Sequence, residues 1–393
     1  MASFGESLGK KQMKKAIIVL PTYNEKENVK VLIPQIFTLT RASEKWDVHI
    51  LVVDDKSPDG TSQEIRKLQK KFKNLHLIEG EKQGLGTAYV RGFTYALKQV
   101  HADVIFEMDA DCQHPPDLIP KFLTALEKGA DFVIGSRYIR GGSIPEQWTA
   151  DRKFYSIMGN LIARFGFMSI SVHDWTSGFR AMKSSFLKEI ISDMHGYNGY
   201  VFQIALLDKA RKKGLKIVEV PLQFIERFEG SSKFNPSKYI LESISYIVSN
   251  SPFIKFVIVG LVGFVIDFSI AVLLITTFDV FKPHANAISA EIAIVSNFVL
   301  NNFWSFSHKK IDHSTYSYIS KFTHFNVISS GSILIQWFGM FVTLHIFGDK
   351  MLRVAIFSIP SWIIYKMFII AFLIIPYSYV MYNYIIWNNS AKA

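Results

Sequence analysis

The 393-residue sequence has one cysteine, Cys112, and few charged residues in its C-terminal third. A single cysteine excludes an internal disulfide and permits a reducing compartment. Residues 252–393 carry 14 of the 77 charged side chains, whereas residues 1–251 carry 63. This uneven distribution predicts a water-soluble part followed by a membrane-spanning part.

The N-terminus lacks the long apolar core of a signal peptide, because four lysines precede only a short apolar run at residues 16–20. We therefore expect the first part to stay in the cytoplasm. The net charge of +11 divides into +7 before residue 252 and +4 after it, which suits anionic lipid or phosphate partners. Zinc-finger spacing, a basic helical stripe and RNA-binding aromatic motifs are all missing, so we predict that nucleic acid is not a partner.

Apolar runs alternate with helical patterns along the first 135 residues. The runs at 16–20, 48–53, 75–78, 104–108 and 132–134 predict strands, and the segments near 25–40, 61–72, 84–100 and 116–128 predict helices. Such alternation is typical of an α/β fold, with a mostly parallel sheet and helices on both faces. Ligands of such sheets bind at the carboxyl ends of the strands.

Polar loops follow three of these strands: residues 21–25, residues 54–61 and residues 109–113. In the third loop Asp109, Asp111 and Gln113 occupy alternate positions, so an extended backbone lets their oxygens converge on one hard cation. The alternative is an ordinary acidic loop with turn and capping chemistry. Because three such loops meet at one edge, we favour a binding site.

Seven motifs in order, over roughly residues 15–240, resemble the inverting glycosyltransferases related to dolichyl-phosphate mannose synthase. They are Pro21-Thr22-Tyr23-Asn24-Glu25, Val53-Asp54-Asp55, Gly84-Leu85-Gly86-Thr87-Ala88, Asp109-Ala110-Asp111, Gly135-Ser136-Arg137-Tyr138, Ser177-Gly178-Phe179-Arg180 and Arg227-Phe228-Glu229-Gly230-Ser231-Ser232-Lys233. The resemblance implies a Rossmann-like α/β domain of the GT-A type that binds a nucleotide sugar.

The resemblance also assigns the donor site. It implies that the nucleoside is bound by Pro21, Tyr23, Glu25, Val53 and Asp55. It further implies that Asp109 and Ala110 lie near the ribose and diphosphate, and that Asp111 holds Mg²⁺ or Mn²⁺. Gln113 departs from an all-carboxylate cluster, but its amide oxygen is a legitimate metal ligand.

Arg227 and Lys233 lie in a stretch that contains glycine and serine. This stretch resembles a loop that closes over the donor diphosphate, with the two cations facing its negative charge. We take Asp109, Asp111 and Arg137 as the catalytic residues, and Asp111 and Arg137 also as donor contacts. A solvated linker is the alternative interpretation of the segment that carries Arg227 and Lys233.

The proposed acceptor removes the need for a general base, because a lipid monophosphate has a second pKa of about 6 and is largely dianionic at neutral pH. Arg137, together with Arg152, Ser156 and Asn160 at four-residue helical spacing, could hold that phosphate. Segment 147–168 is amphipathic and could lie on the membrane surface. A helix packed on its own sheet is the alternative. Asp174 could contact the sugar, or act as a base if the acceptor were a hydroxyl.

Four apolar segments follow, at about 253–278, 285–306, 321–347 and 358–387, and each is long enough to span a bilayer. Two stretches in them, Phe256-Val257-Ile258-Val259-Gly260 to Asp267 and Ser296-Asn297-Phe298-Val299-Leu300-Asn301-Asn302-Phe303-Trp304-Ser305-Phe306, resemble a small four-helix family of GtrA-like membrane domains associated with polyprenyl-linked sugars. We predict domains at 1–235 and 252–393, joined by an amphipathic surface helix at 236–251. Four spans would place the C-terminus on the same, cytoplasmic, side as the enzyme.

The leading hypothesis is therefore transfer of mannose from GDP-mannose to dolichyl or another polyprenyl phosphate, with inversion, at the cytoplasmic membrane face. The alternatives are a UDP-glucose-dependent polyprenyl-phosphate glucosyltransferase and a flippase for lipid-linked sugars. A processive polysaccharide synthase is disfavoured, because Gln147-Trp148 is the nearest approach to the Gln-x-x-Arg-Trp motif of those enzymes.

Overall fold

The structure is a computed structural model that describes residues 13–225, 236–307, 315–348, 350–354 and 357–387. The chain divides into two compact units, Met1–Ile247 and Val248–Ala393. The predicted domain boundaries at 235 and 251 lie on either side of this division and remain predictions.

The first unit is built on a seven-stranded sheet. Its strands are β1 (Lys14–Thr22), β2 (Trp46–Asp54), β3 (Leu75–Glu79), β4 (Val104–Glu107), β5 (Phe132–Ser136), β6 (Arg180–Lys183) and β7 (Ile217–Pro221). Their order across the sheet is β3-β2-β1-β4-β6-β5-β7, and β6 runs antiparallel to β4 and β5 while the other pairs are parallel. The five predicted strands are confirmed, and β6 and β7 are additions that the sequence analysis did not predict.

Helices cover both faces of this sheet. They are α1 (Lys26–Thr40), α2 (Thr61–Gln69), α3 (Leu85–Tyr95), α4 (Ile119–Glu127), α5 (Ala150–Gly166), α6 (Ser184–Ile190), α7 (Gly199–Lys212) and α8 (Pro236–Asn250). Ile18 of β1 belongs to the core that α1 and α4 complete, whereas its neighbour Val19 lies against Gly92 of α3. Successive side chains of a strand point to opposite faces, so β1 is buried on both sides.

The register of the central strands brings the carboxyl ends of three strands to one edge of the sheet. Thr22 of β1 pairs with Asp54 of β2, and Val19 pairs with Glu107 of β4, so β1, β2 and β4 all end there. β1 is also where the strand order reverses, which is the usual ligand crevice of such sheets. Because β6 runs the opposite way, the segment that precedes it, residues 173–179, reaches the same edge.

The second unit is mostly helical. Its elements are α9 (Pro252–Thr276), α10 (Lys282–Leu300), α11 (Thr315–Phe347), β8 (Met351–Val354), β9 (Phe357–Pro360), α12 (Ser361–Ile369) and α13 (Ile375–Met381). Strands β8 and β9 pair antiparallel. A π-helical turn, Ile370–Ile374, joins α12 to α13.

Three helical stretches in the described part of the chain are long and apolar enough to cross a membrane: Pro252–Thr276, Tyr316–Phe347 and Met367–Ile386. The predicted segment 285–306 also forms a helix, α10, but this helix contains Glu291 and is not among the three. The predicted segment 358–387 begins as strand β9 and becomes helical only at Ser361. The count of four spans therefore stays a prediction.

Polar side chains of this unit bond one helix to another. The hydroxyl of Ser289 on α10 donates to Asp267 Oδ1 on α9 at 2.6 Å. Gly263 of α9 gives Asn297 of α10 room, because a Cβ there would lie 2.2 Å from the Asn297 amide oxygen. The bond between Ser289 and Asp267 holds two helices together in an apolar medium, which favours a structural role for these two polar groups over a transport pathway.

Candidate active site

The loops after β1 and β2 are joined through Asp54, which is fully buried. Its carboxylate accepts hydrogen bonds from the hydroxyls of Thr22 (2.8 Å), Ser57 (2.6 Å) and Ser62 (2.9 Å). The Ser57 hydroxyl in turn accepts from the backbone N–H of Asn24 at 2.9 Å. A buried carboxylate with several donors fixes both loops, so Asp54 is a scaffold for the residues around it.

The five residues expected at the nucleoside lie together, on the ends of β1 and β2 and on the two loops that follow. Pro21 and Val53 are direct partners in the β1–β2 pairing, and Tyr23, Glu25 and Asp55 follow them in the chain. Val53 is fully buried, so the structure places it beneath the site, and its contact with the nucleoside stays a prediction. Tyr23 presents a ring whose centroid lies 3.3 Å from the Lys82 ammonium.

Asp55 is buried and forms an ion pair with Arg91 of α3, with 2.5 Å between Oδ1 and Nη2. Burial raises the pKa of the Asp55 carboxyl, and the Arg91 guanidinium opposes that rise. The sequence analysis missed Arg91, which lies 36 residues from its partner.

Asp109, on the loop after β4, has neighbours from α3, from its own loop and from the segment before β6. Tyr89 of α3 donates to Asp109 Oδ1 at 3.3 Å, and the backbone N–H of Asp109 donates to His114 Nδ1 at 3.1 Å. Gly178 comes so close that a Cβ there would lie 3.3 Å from Asp109 Oδ2. Ala110 is buried beside it, while the Asp109 side chain keeps 37% of its surface exposed.

His114 is fixed in its neutral form. Burial lowers its pKa to about 4, and its Nδ1 accepts the Asp109 N–H, so the ring proton is on Nε2. The imidazole stacks on Phe179 at 5.1 Å between ring centroids. His114 therefore supports the loop and is not a base at neutral pH.

Asp111 and Gln113, the predicted metal ligands, lie buried on this loop. The Gln113 backbone N–H donates to Asp111 Oδ1 at 3.1 Å, and the Gln113 amide Nε2 donates to the Ile225 carbonyl at 3.1 Å. That second bond identifies which amide atom is the oxygen, and within the described residues this oxygen accepts no hydrogen bond. Carboxylate and amide oxygens form a donor set that fits Mg²⁺ or Mn²⁺.

The described residues contain no group of three His, Cys, Asp or Glu side chains arranged to hold a metal. A divalent cation at Asp111 would therefore need the Gln113 amide oxygen together with oxygens from a ligand or water. This is usual for Mg²⁺, which keeps several waters and takes substrate phosphate oxygens.

A buried carboxyl group and a buried guanidinium lie beneath the acidic loop. Glu107, the last residue of β4, and Arg180, the first of β6, are both fully buried, with 4.0 Å between Oε2 and Nε. Burial raises the pKa of Glu107 to about 8, although Arg180 opposes the rise, and the same burial lowers the pKa of Arg180 to about 10. The guanidinium also donates to the carbonyls of Gln203 (2.6 Å) and Trp175 (2.9 Å).

Arg137 is held by Asp174. Its Nε and Nη2 donate to the two carboxylate oxygens at 2.7 Å each, and its backbone N–H adds a third bond at 3.0 Å. Burial would raise the pKa of Asp174, but Arg137 outweighs it, so that pKa is held below its usual range. Asp174 is fully buried and anchors Arg137, and a contact of Asp174 with the sugar, or its action as a base, stays a prediction.

Thr176 connects Arg137 to the predicted acceptor helix. Its hydroxyl accepts from Arg137 Nη2 at 2.8 Å and from the Asn160 amide of α5 at 3.1 Å. The Asn160 amide oxygen also accepts from the Trp175 backbone N–H at 2.6 Å, so Asn160 fixes α5 to residues 175–176. The structure thus brings Arg137 and Asn160 to one place through Thr176.

Ser156 and Arg152 lie nearer the start of α5 than Asn160. The Ser156 hydroxyl is 2.6 Å from the Tyr138 hydroxyl, and the Arg152 guanidinium stacks 4.0 Å from the centroid of the Trp148 ring. Both residues line a cavity of about 420 Å³ between α5 and α8. Its apolar lining includes Phe154, Tyr155, Met158, Ile162, Ile204, Ile240, Ile244 and Ile247, and Thr176 also lines it.

Arg227 and Lys233, the predicted cations of the closing loop, lie outside the described residues. Their roles remain predictions. Ile225 is the last described residue before them, and it exchanges two hydrogen bonds with Gln113.

Comparison with known proteins gives two family matches along the chain. Residues 17–191 match the model of glycosyl transferase family 2, and residues 255–387 match that of the GtrA/DPMS transmembrane domain. Among solved structures, glucosyl-3-phosphoglycerate synthase from Mycobacterium tuberculosis, in complex with Mn²⁺, UDP-glucose and phosphoglyceric acid, is similar with a TM-score of 0.45. It is 19% identical and covers 60% of this chain and 80% of its own.

Two curated relatives are more similar in sequence. Dolichol-phosphate mannosyltransferase of Pyrococcus furiosus is 32% identical over 341 residues, which is 84% of this chain and 92% of the relative. Polyprenol monophosphomannose synthase of Mycolicibacterium smegmatis is 37% identical over 225 residues, which is 57% of this chain and 82% of the relative.

Proposed function

This chain belongs to the family-2 glycosyltransferases related to dolichol-phosphate mannosyltransferase, and from that premise we propose that it transfers mannose from GDP-mannose to a polyprenyl phosphate. The product is a lipid-linked mannose with inverted configuration, made at the cytoplasmic face of a membrane. Dolichyl phosphate is the acceptor we expect first.

The observation that carries this proposal is the cavity between α5 and α8. It is lined mostly by apolar side chains, and one of its polar residues, Thr176, accepts a hydrogen bond from Arg137. An acceptor with an apolar chain and an anionic head group matches both parts. Exposed apolar residues on the same two helices, Phe154 and Phe165 on α5 and Leu241 on α8, suit a membrane surface.

The reaction we propose is one in-line displacement. An oxygen of the lipid phosphate forms a bond to the anomeric carbon of mannose while the bond from that carbon to the donor diphosphate breaks, and the diphosphate leaves with the electron pair. The phosphate is already ionised at neutral pH, so no proton has to be removed. The commitment of Asp174 to Arg137 supports this, since a hydroxyl acceptor would need a base.

Asp111 and Gln113 are the residues we propose for a divalent cation, with Asp109 beside the donor ribose and diphosphate. When bound, the cation would neutralise negative charge that develops on the leaving diphosphate. Arg137 would hold the acceptor phosphate in line behind the sugar, and its anchoring by Asp174 would keep that position fixed.

Transfer assays on the purified full-length chain test this function. We expect labelled mannose to pass from GDP-mannose to dolichyl phosphate when Mg²⁺ or Mn²⁺ is present, and a chelator to abolish transfer. The Asp111→Asn variant should be slower by about a hundredfold, since it removes one charge from the cation site. Transfer from UDP-glucose but not from GDP-mannose would overturn the donor assignment.

A further inference from the structure

We propose that Arg91 is a positioning residue for donor binding: its guanidinium orients the Asp55 carboxylate toward the N–H groups of the donor base, and Gly80 provides the space it needs. This inference rests on the proposed function, because it deepens the assignment of Asp55 to the nucleoside. The known motifs include neither Arg91 nor Gly80.

The two carboxylate oxygens of Asp55 differ in their hydrogen bonds. Oδ1 accepts from Arg91 Nη2 at 2.5 Å, while Oδ2 accepts no hydrogen bond from any described residue. The Asp55 side chain is 10% exposed and that of Arg91 is 25% exposed. The pair is thus largely shielded, with one carboxylate oxygen held and the other available to a base. Guanine presents two adjacent N–H donors, and uracil one.

Gly80 makes this arrangement possible. It is the first residue after β3, and its backbone N–H donates to the Asp54 carbonyl at 3.0 Å. A Cβ on Gly80 would lie 2.1 Å from Arg91 Nη1 and 2.4 Å from Arg91 Cζ, so the guanidinium passes directly over the space a side chain would fill. Only the end of a flexible side chain would have to move, so Gly80→Ala should fold normally and displace the guanidinium.

Arg91 also affects the pKa of the Asp55 carboxyl. Burial and, to a smaller extent, the charge of Asp54 raise the pKa of the Asp55 carboxyl, whereas the bond from Arg91, the largest opposing influence, and the charge of Lys82 lower it. Without Arg91 the carboxyl would keep its proton to higher pH. A protonated carboxyl has lost part of its capacity to accept from a base N–H, so donor binding would weaken.

The rival explanation is that the pair only attaches α3 to β2. Titration of the full-length chain with GDP, and with UDP for comparison, separates the two explanations. We expect Arg91→Met and Gly80→Ala each to weaken GDP binding about tenfold, because a hydrogen bond to a charged group is at stake. Arg91→Lys should recover part of the loss. Arg66→Met is the matched control, since Arg66 forms an exposed ion pair with Glu79 on neighbouring elements.

Two further readouts test the proposal, the first whether Arg91 acts through Asp55 and the second, which a purely structural pair would not move, whether Arg91 sets the protonation of Asp55. In the Asp55→Asn background, Arg91→Met should cause no additional loss of GDP affinity, because the carboxylate it orients is gone. The acid limb of the pH profile of GDP binding should move to higher pH in Arg91→Met, while the KM for the lipid acceptor stays unchanged.

GDP affinity within twofold of wild type in Gly80→Ala, in protein that melts at the wild-type temperature, would overturn the proposal. So would additive losses in the Asp55→Asn background. A wild-type chain that binds UDP and not GDP would instead overturn the donor assignment, and the same variants would then test Arg91 with UDP.

Discussion

At the scale of single residues, the charged groups of the site depend on partners from distant parts of the chain. Arg137 is held by Asp174, 37 residues later, and Asp55 is held by Arg91, 36 residues later. The motifs identify Arg137 and Asp55 as site residues because they occur in recognisable strings. Arg91 could not be identified in this way, because an ion pair between distant residues depends on how the helices pack on the sheet.

Arg137→Lys should mainly affect the acceptor. Lysine keeps the charge but cannot make the two parallel bonds to Asp174, so the cation would no longer be fixed. We expect the KM for the lipid phosphate to rise about tenfold and GDP affinity to fall by a smaller factor, as measured by transfer kinetics and GDP titration. Arg66→Lys is the matched control. Unchanged transfer kinetics in Arg137→Lys and also in Arg137→Ala would show that the acceptor phosphate is held elsewhere.

Glu107→Gln should change how stability depends on pH. The folded-state pKa of Glu107 is raised to about 8, above an unfolded value of about 4.3, so the folded chain holds a proton that the unfolded chain releases. Stability from this group is therefore present at low pH and is lost as pH rises through that window.

We expect thermal unfolding of the Glu107→Gln variant in detergent to show a shallower decline between about pH 5 and pH 8 than the wild type. Identical slopes for the two proteins would mean that Glu107 stays ionised in the folded chain.

At the scale of elements, most of the strands that could be predicted from the sequence are ones that are buried on both faces of the sheet. β1, β2 and β4 each contain an uninterrupted or nearly uninterrupted apolar run, because central strands of the sheet are covered on both faces. β6 has the same length as β4, but it escaped prediction because charged residues, Arg180 and Lys183, stand at both of its ends and leave only two apolar residues between them. β7 carries Glu219 within five residues, which also hides the apolar pattern.

Gly159→Leu tests the cavity between α5 and α8. Gly159 lines this cavity, and a Cβ there would meet nothing within 4 Å, so a leucine side chain would start from open space and extend into the cavity. Leucine also favours a helix over glycine by nearly 1 kcal/mol, so the fold should be as stable or more stable. We expect a severalfold rise in the KM for long-chain polyprenyl phosphate and no change in GDP affinity.

The Gly159→Ala variant provides the control, because it improves helix propensity while it fills little of the cavity. Long-chain acceptor kinetics that are equal in the leucine and alanine variants would place the isoprenoid chain outside this cavity.

At the scale of the whole molecule, the division into a charged and an apolar part could be predicted directly, because water and hydrocarbon impose different compositions. The number of membrane spans could not be predicted from composition, because α10 is helical but contains polar residues such as Glu291. Side-chain bonds such as Ser289 to Asp267 satisfy such groups between helices, and composition alone does not reveal them.

Truncation after residue 251 should separate the two substrates. The nucleoside loops and α5 all belong to the unit Met1–Ile247, so the truncated chain should bind GDP with wild-type affinity. We expect it to use long-chain polyprenyl phosphate poorly, because the lipid must leave a membrane to reach it. A truncated chain that matches the full-length protein on long-chain acceptor in vesicles would show that residues 252–393 are dispensable for acceptor delivery.

The reversed direction of β6 has a consequence for how this enzyme could diversify. β5 ends and β6 begins at the same edge of the sheet, with Ile134 paired to Arg180, so residues 137–179 form an excursion that leaves and returns at one place. Insertions or replacements within that excursion need not shift any strand. With the acceptor bound along α5 as proposed, changes within this excursion would alter the lipid acceptor and leave the nucleotide site, on the loops after β1 and β2, intact.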